Sequence, residues 1–166
     1  MARSGDLAGA RDEIEAMKTL RAALEKGNQS YWTDRSREQV LAVSAWVALK
    51  EGAREEAVKF MRAAANGEDG SIKNVAMENR LYPMRELLGE LLLEVGQPAA
   101  ALSEFETALK ANPNRYRGLW GAARAADAVG DRASATAYYV KLVELSKNAD
   151  TERPEIREAK AFLASK

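Results

Sequence analysis

Cysteine and histidine are both absent from the 166 residues of the sequence. Without them the chain cannot build a Ser/His/Asp or Cys/His nucleophilic arrangement, and it cannot hold a metal ion through imidazole or thiolate ligands. Only carboxylate, lysine, tyrosine, serine and threonine chemistry is left. The lack of cysteine also excludes disulfides, but such chains occur on both sides of a membrane, so the redox compartment stays open.

An excess of either charge is also lacking, since 25 Lys and Arg side chains balance 25 Asp and Glu side chains. There is no global basic field that would draw the protein to nucleic acid or to an anionic bilayer, so charged recognition must be local. The first residues lack the apolar core of a secretory signal, and no run of about 18 apolar residues could span a bilayer. We expect a soluble chain with no membrane insertion and no nucleic-acid partner, in a compartment that the sequence does not specify.

Strand patterns are missing as well. Apolar residues, mostly Ala and Leu, recur at three- and four-residue spacing, whereas β-branched or aromatic clusters with period two are lacking. Gly and Pro fall between the periodic segments, where they can cap or begin helices. The pattern predicts an all-α chain with helices near 7–26, 30–51, 54–66, 82–95, 98–111, 116–129, 132–147 and 154–165.

The stretch LLGELLLEVGQPAAALSEFETALKANPN, residues 87–114, indicates how these helices are joined. The first helix ends at Gly96, and Pro98 begins the next at a position where its missing N–H costs little. The second helix ends before Asn112 and Pro113 because a residue that precedes proline disfavours the α region. Two antiparallel helices with a short turn between them are therefore predicted.

This helical hairpin is repeated 34 residues later, where Gly130 takes the place of Gly96. The second helices of the two hairpins also match, with Ala101 over Ala135, Phe105 over Tyr139 and Ala108 over Leu142. A fixed period of this length is typical of stacked helical repeats.

The repeat resembles the tetratricopeptide repeat pattern W-x2-L-G-x2-Y…A-x3-F…P. The repeat at 82–115 departs from it only with Arg85 at the Trp position and Leu92 at the Tyr position. The repeat at 116–149 is weaker, because Ala123 replaces the Gly and Lys147 replaces the terminal Pro. The residues that carry the pattern in the first of the two are Leu88, Gly89, Ala101, Phe105 and Pro113.

We predict a single tetratricopeptide-like domain that spans residues 1–166. A degenerate repeat covers 30–66, where Gly52 is followed by Ala57, Met61 and Ala64 at the same offsets. Residues 66–81 are predicted to form an inter-repeat loop that is longer than such connections usually are. This loop is either a lid over one end of a binding surface or a tolerated surface insertion.

The two ends of the chain carry partial matches. Residues 1–26 are predicted to be the second half of a repeat whose first half is absent, which would make the chain a piece of a longer protein. Residues 151–166 are predicted to be a capping helix, because a terminal repeat needs one to cover its open apolar surface. Its apolar face consists of Ile156, Ala159, Phe162 and Leu163.

The resemblance implies a right-handed α-solenoid of antiparallel helix pairs with a C-terminal capping helix. It also implies a protein-interaction module or scaffold, with a peptide or a helix of a partner held in a concave groove. In the 34-residue register, positions 2, 5, 9 and 12 of each repeat are expected to face inward. These are Gln39, Ala42, Trp46 and Leu49; Pro83, Glu86, Glu90 and Leu93; and Arg117, Trp120, Arg124 and Asp127.

Seven of these positions are candidate partner-binding residues: Trp46, Glu86, Glu90, Arg117, Trp120, Arg124 and Asp127. The tryptophans offer rigid apolar anchors, the arginines can grip a carboxylate, and the two glutamates form an acidic pair four residues apart. A second interpretation stays open for the tryptophans and for the glutamates. A Trp on an apolar helix is often part of the core, and the glutamates could simply form a solvated face.

Tetratricopeptide domains that clamp a partner's C-terminal carboxylate carry Lys and Asn at inward positions 5 and 9. The best-formed repeat here has Glu86 and Glu90 at those positions, so binding of that type is disfavoured. A basic or apolar segment would suit the central groove better. Arg124 leaves an acidic contact open at its C-terminal end.

The pair Glu86 and Glu90 is also the only arrangement that invites acid/base chemistry. Both lie on one helix, with no nucleophile or oxyanion site beside them, so we expect no enzymatic activity, no cofactor and no metal. The alternative to groove binding is a C-terminal structural segment of a larger repeat protein with no groove ligand. An incomplete first repeat would leave an apolar end that could pair with a second copy as a homo-oligomer.

Overall fold

The computed structural model describes residues 4–70 and 82–165, and those two ranges contain helices and no strands. Eight helices follow one another in these residues. They are α1 (Leu7–Lys26), α2 (Ser30–Lys50), α3 (Arg54–Asp69), α4 (Met84–Glu94), α5 (Pro98–Ala111), α6 (Tyr116–Ala128), α7 (Arg132–Leu145) and α8 (Pro154–Ala164). The predicted all-α class is confirmed, and each predicted helix is present. In the described ranges no helix combines the length and the apolar character needed to cross a membrane.

Three turns between helices share one geometry. Gly52, Gly96 and Gly130 all have positive φ, between 79° and 85°, which a glycine adopts without a Cβ penalty. In each case the next residue's N–H donates to a carbonyl five residues earlier, at 2.8–2.9 Å, and so closes the helix end. At Gly52 and Gly130 the chain reverses, and α2 packs on α3 and α6 on α7 as antiparallel pairs, as predicted from the Gly positions.

Helix α3 is longer than the predicted 54–66, since it continues through residues 67–69 to Asp69. The predicted loop 66–81 therefore needs correction at its start, and its remainder from residue 71 lies outside the described residues. The extension is favoured by packing. Glu68 is buried and its Oε2 accepts a hydrogen bond from the Met84 N–H at 2.8 Å, which satisfies a free donor at the start of α4.

The chain divides into two compact units, Met1–Leu91 and Leu92–Lys166. The prediction of one continuous domain stays a prediction. In the first unit α1 packs on α2, and α2 packs on α3. Gly67 of α3 lies against the Glu38 side chain of α2, whose buried carboxylate pairs with Arg35 at 2.6 Å. Alanines such as Ala45 and Ala64, which have no exposed surface, allow this close helix approach.

In the second unit the helices pack in chain order, α5 on α6, α6 on α7 and α7 on α8. Phe105 of α5 lies directly against Gly121 of α6, where a Cβ atom would overlap the ring. A core cluster joins α6, α7 and α8. It consists of Leu119, Ala123, Tyr139, Leu142, Ile156 and Ala159, with Phe162 and Leu163 partly buried against it. The apolar face predicted for the last helix is thus the face that packs, so α8 caps the second unit.

Candidate functional site

Four of the candidate residues lie on one face of α6. Arg117, Trp120, Arg124 and Asp127 are spaced by three, four and three residues, which places them along one stripe of a helix. The rest of α6 is almost entirely buried and consists mainly of Gly and Ala. Arg117 and Trp120 are half-buried, whereas Arg124 and Asp127 are exposed. This stripe, which we call the α6 face, is the part of α6 that solvent reaches.

Arg124 and Trp120 form a stacked pair at the centre of the α6 face. The guanidinium carbon of Arg124 lies 4.6 Å from the centroid of the indole ring, within the range of a cation–π interaction. The guanidinium lies over the face of the ring, and its N–H groups remain available at the surface. The side chain of Arg124 is 43% exposed.

Glu158 of α8 orients this pair. Its Oε2 accepts a hydrogen bond from Trp120 Nε1 at 3.0 Å, and its Oε1 accepts one from the hydroxyl of Tyr139 at 2.9 Å. Arg124 Nε lies 3.9 Å from the same Oε1, at the outer limit of an ion pair. One carboxylate thus links α6, α7 and α8, and it fixes the indole without a tight ion pair to Arg124.

The protonation state of Tyr139 follows from this geometry. Burial raises the pKa of the Tyr139 hydroxyl, and its hydrogen bond to the Glu158 carboxylate raises that pKa further. The hydroxyl therefore remains a donor well above neutral pH. The same is true of Tyr116 at the start of α6, whose pKa is raised by burial and by the nearby Glu155 carboxylate, 3.4 Å from its hydroxyl.

The N-terminal end of α6 has a second link to the capping helix. The guanidinium carbon of Arg153 lies 5.2 Å from the centroid of the Tyr116 ring, and Tyr116 donates to Glu155. Arg132 of α7 holds the other end of α8, where it stacks on Phe162 at 4.7 Å and donates to the backbone carbonyl of Ser165. Helix α8 is therefore held near both of its ends and, through Glu158, at its middle, where it borders the α6 face.

The other three candidates lie in the first unit and are buried. Trp46 on α2 is 6% exposed, and Glu86 and Glu90 on α4 are 1% and 8% exposed. The interpretation of Trp46 as a core residue agrees with this burial, and the interpretation of the glutamates as a solvated face is wrong. Buried carboxylates need internal polar partners, and both take part in polar or electrostatic interactions within the chain. These three side chains offer little surface to a ligand.

Glu158 and Tyr139 contribute to the geometry of the candidate site, and the sequence did not indicate them. Tyr139 was expected only as a large packing residue of the repeat. Glu158 is 38 residues from Trp120, and nothing in the local pattern of α8 distinguishes it from the other charged residues of that helix. The useful signal would have been its place in the helix, two positions after Ile156 and one before Ala159, on the border of the buried face.

Comparison with known families and structures agrees with this fold. Residues 82–115 match the family model described as tetratricopeptide repeat. A search of curated protein sequences finds no match. The predicted resemblance to the tetratricopeptide repeat family is thus confirmed at the repeat that carries its pattern best.

Solved structures share the fold at low sequence identity. PcrH from Pseudomonas aeruginosa is similar with a TM-score of 0.59 and 17% identity, over 76% of this chain and 88% of that chain. The first TPR of Spaghetti (RPAP3), bound to the HSP90 peptide SRMEEVD, has a TM-score of 0.58 and 16% identity over 76% and 90%. The MamA RS-1 ArsTM double mutant has a TM-score of 0.54 and 13% identity over 92% and 93%. These likenesses confirm the predicted class of helical repeat fold.

Proposed function

We propose that this protein is a non-catalytic protein-interaction module or scaffold that binds a peptide or helix of a partner along the α6 face. The observation that carries the proposal is the stacked pair of Trp120 and Arg124, held at the surface by Glu158. A ring already fixed in its bound orientation loses little conformational entropy when a ligand packs on it. Tryptophan and arginine are also the side chains most often found to dominate interface energies.

The chemistry of the α6 face suggests what the partner segment presents. The Arg124 guanidinium lies over the Trp120 ring and has only a long contact to Glu158, so a ligand carboxylate could form a closer, bidentate pair with it. Asp127 follows one turn later and would favour a basic or amide group at that point. A segment with one acidic residue beside an apolar side chain, followed by a polar or basic residue, meets these requirements.

The structural neighbours support peptide binding as a use of this fold, since the RPAP3 domain is described in complex with an HSP90 peptide. The charge pattern here differs from a clamp for a terminal carboxylate, which needs Lys and Asn where this chain has Glu86 and Glu90. Because both glutamates are buried, we place ligand contacts on the α6 face and give Trp46, Glu86 and Glu90 a supporting role inside the first unit.

A specific observation favours the alternative function as well. Glu158 of the same chain already satisfies the Trp120 N–H and lies near Arg124. Internal partners can thus account for the position of both residues. In this second proposal the segment stacks and caps a larger repeat assembly and holds no groove ligand.

Site-specific photo-crosslinking distinguishes the two. A photoreactive phenylalanine analogue placed at Asp127 should crosslink a partner from a lysate of the source organism, and mass spectrometry of the adduct identifies the segment. The same probe at Thr136, an exposed position on α7, is the control for crosslinking that does not depend on the α6 face. The identified segment is then synthesised and titrated against purified protein.

Charge variants complete the test. Arg124→Glu should weaken binding of the synthesised segment at least about tenfold, as expected for loss of a charge-assisted pair. Arg157→Glu makes the same change of charge at an exposed position of α8. This variant should bind the segment as the wild type does. Equal binding by both variants, or adducts that do not depend on the probe position, would favour the structural alternative.

A further inference from the structure

A second surface in the second unit has features of a binding site and shares no residue with the α6 face. It is a pocket of about 400 Å³ between the end of α5, the turn after it, and the middle of α7. The apolar part of its lining consists of Leu109, Pro113 and Leu119. A pocket of this size lies within the range of ligand-binding clefts.

The rim of this pocket carries two lysines, Lys110 from α5 and Lys141 from α7. Both are exposed, and neither forms an ion pair with another residue in the part of the chain that the structure describes. Exposed cations elsewhere in the second unit often have a carboxylate within reach, as Lys147 has Glu144 and Lys160 has Glu152. Two cations on one rim without a carboxylate partner are complementary to an anionic ligand.

The only acidic side chain in the lining of the pocket is already engaged. Glu106 accepts a hydrogen bond from the Tyr138 hydroxyl at 3.1 Å, and this bond holds the Tyr138 ring as one wall. With two lysines against this single glutamate, the lining keeps an excess of positive charge.

The apolar surface continues beyond the pocket along α7. Leu145 is 48% exposed and lies seven residues after Tyr138 and four after Lys141, so the three share one face of the helix. At 1.5 Å per residue this face extends about 10 Å from Tyr138. A small anion would leave Leu145 uncovered, whereas a peptide segment could cover it.

We propose that this pocket and the adjoining face of α7 bind an acidic, apolar segment of a partner protein. Carboxylates of the segment lie between Lys110 and Lys141, and an apolar side chain enters the pocket against Leu109 and Leu119. A second apolar side chain covers Leu145. The site is separate from the α6 face, so the protein can hold two segments at once.

The test uses two fluorescein-labelled peptides, GSELDELFSG and its amide counterpart GSQLNQLFSG, in fluorescence anisotropy at low salt. The acidic peptide should bind the wild-type protein at least about tenfold more tightly than the amide counterpart, and added salt should weaken it. The double variant Lys110→Gln, Lys141→Gln should lose this preference. The matched double variant Lys50→Gln, Lys59→Gln, which removes two exposed lysines of the first unit, should keep it.

A third variant distinguishes this site from the α6 face. Arg124→Gln shows how much of the affinity belongs to the α6 face, and the loss caused by the two lysine substitutions should be the same in this background as in the wild type, with all variants first shown to melt alike. If only Arg124→Gln loses binding, the peptide occupies the α6 face, and the present inference is overturned while the proposed function is supported. Equal affinity for both peptides, equal binding by the two lysine variants, or no binding at all would also overturn it.

Discussion

Trp120 of α6 donates its indole N–H to Glu158 of α8 at 3.0 Å, across 38 residues of sequence. The same carboxylate accepts from Tyr139, so one exposed acidic side chain fixes an aromatic ring on the candidate binding face and a hydroxyl beside the core. This relationship connects the stability of the capping helix with the shape of the α6 face. A variant that releases Glu158 should therefore change both.

Replacement of Glu158 by Ala should lower the free energy of unfolding by about 1–3 kcal/mol, because the Tyr139 hydroxyl, on a side chain only 2% exposed, loses its acceptor. Chemical denaturation measures the change. Arg157→Ala on the same helix is the control and should alter stability by less than about 0.5 kcal/mol. Equal losses in both variants would mean that α8 is sensitive to any truncation and that the Glu158 hydrogen bonds are unimportant.

Gly121→Ala should be destabilising by about 1–3 kcal/mol, since its methyl group would overlap the Phe105 ring and force α5 and α6 apart. Gly27→Ala is a matched control, because its added Cβ meets only ordinary van der Waals contacts at 3.5 Å or more. It should be neutral or slightly stabilising.

A compensating change tests the cause of the Gly121 effect. The double variant Gly121→Ala, Phe105→Leu should be more stable than the sum of the two single losses implies, because the smaller side chain makes room for the methyl group. Strict additivity would show that the contact between the two positions is not the cause.

Glu68→Ala should cost about 1–3 kcal/mol, because the buried N–H of Met84 loses its acceptor at the start of α4. The neighbouring Asp69 pairs with Arg85 at 2.6 Å, but the Asp69 carboxylate is itself exposed to solvent, so Asp69→Ala should cost less than about 1 kcal/mol. Hydrogen exchange of the first amides of α4 gives a local measurement. Unchanged exchange there in the Glu68 variant would contradict the capping role.

Alkaline pH should weaken the second unit. Burial and the hydrogen bond to Glu106 raise the pKa of Tyr138 from 10.0 to about 12. Because the folded-state pKa lies above the unfolded one, this stabilisation is fully present below pH 10 and is lost as the pH rises towards about 12. Urea denaturation across that range should show a smaller loss of stability for Tyr138→Phe than for the wild type. Identical pH dependence in both would exclude Tyr138 as a contributor.

Much of the fold could be predicted because its signals are local. The signals are the Gly after α2, α4 and α6, the Pro at the start of α5, and the three- and four-residue spacing of Ala and Leu. Each depends on residues within one or two turns of each other. Helix bounds came within three residues of those observed. The largest difference, at the end of α3, arises from Glu68, whose hydrogen-bond partner Met84 lies 16 residues away.

The candidate site was less predictable, because periodicity shows which residues share a face but not what covers that face. Trp120 and Arg124 were expected to face a groove together, and they do lie together on the α6 face. Glu86 and Glu90 met the same spacing rule, yet they are buried in the first unit. Nothing in their spacing could distinguish them, since burial depends on neighbouring helices.

The sequence by itself determined the all-α class, the 34-residue repeat, the turn geometry at Gly96 and Gly130, and the absence of His, Cys and disulfide chemistry. Each of these depends on composition or on the conformational preferences of a few adjacent residues. Tertiary structure alone decided that Glu158 would hold Trp120, that Phe105 would pack on Gly121, and that Lys110 and Lys141 would meet on one rim. The physical reason is distance along the chain: these pairs are brought together only when whole helices pack, and burial, hydrogen bonding and local charge follow from that packing.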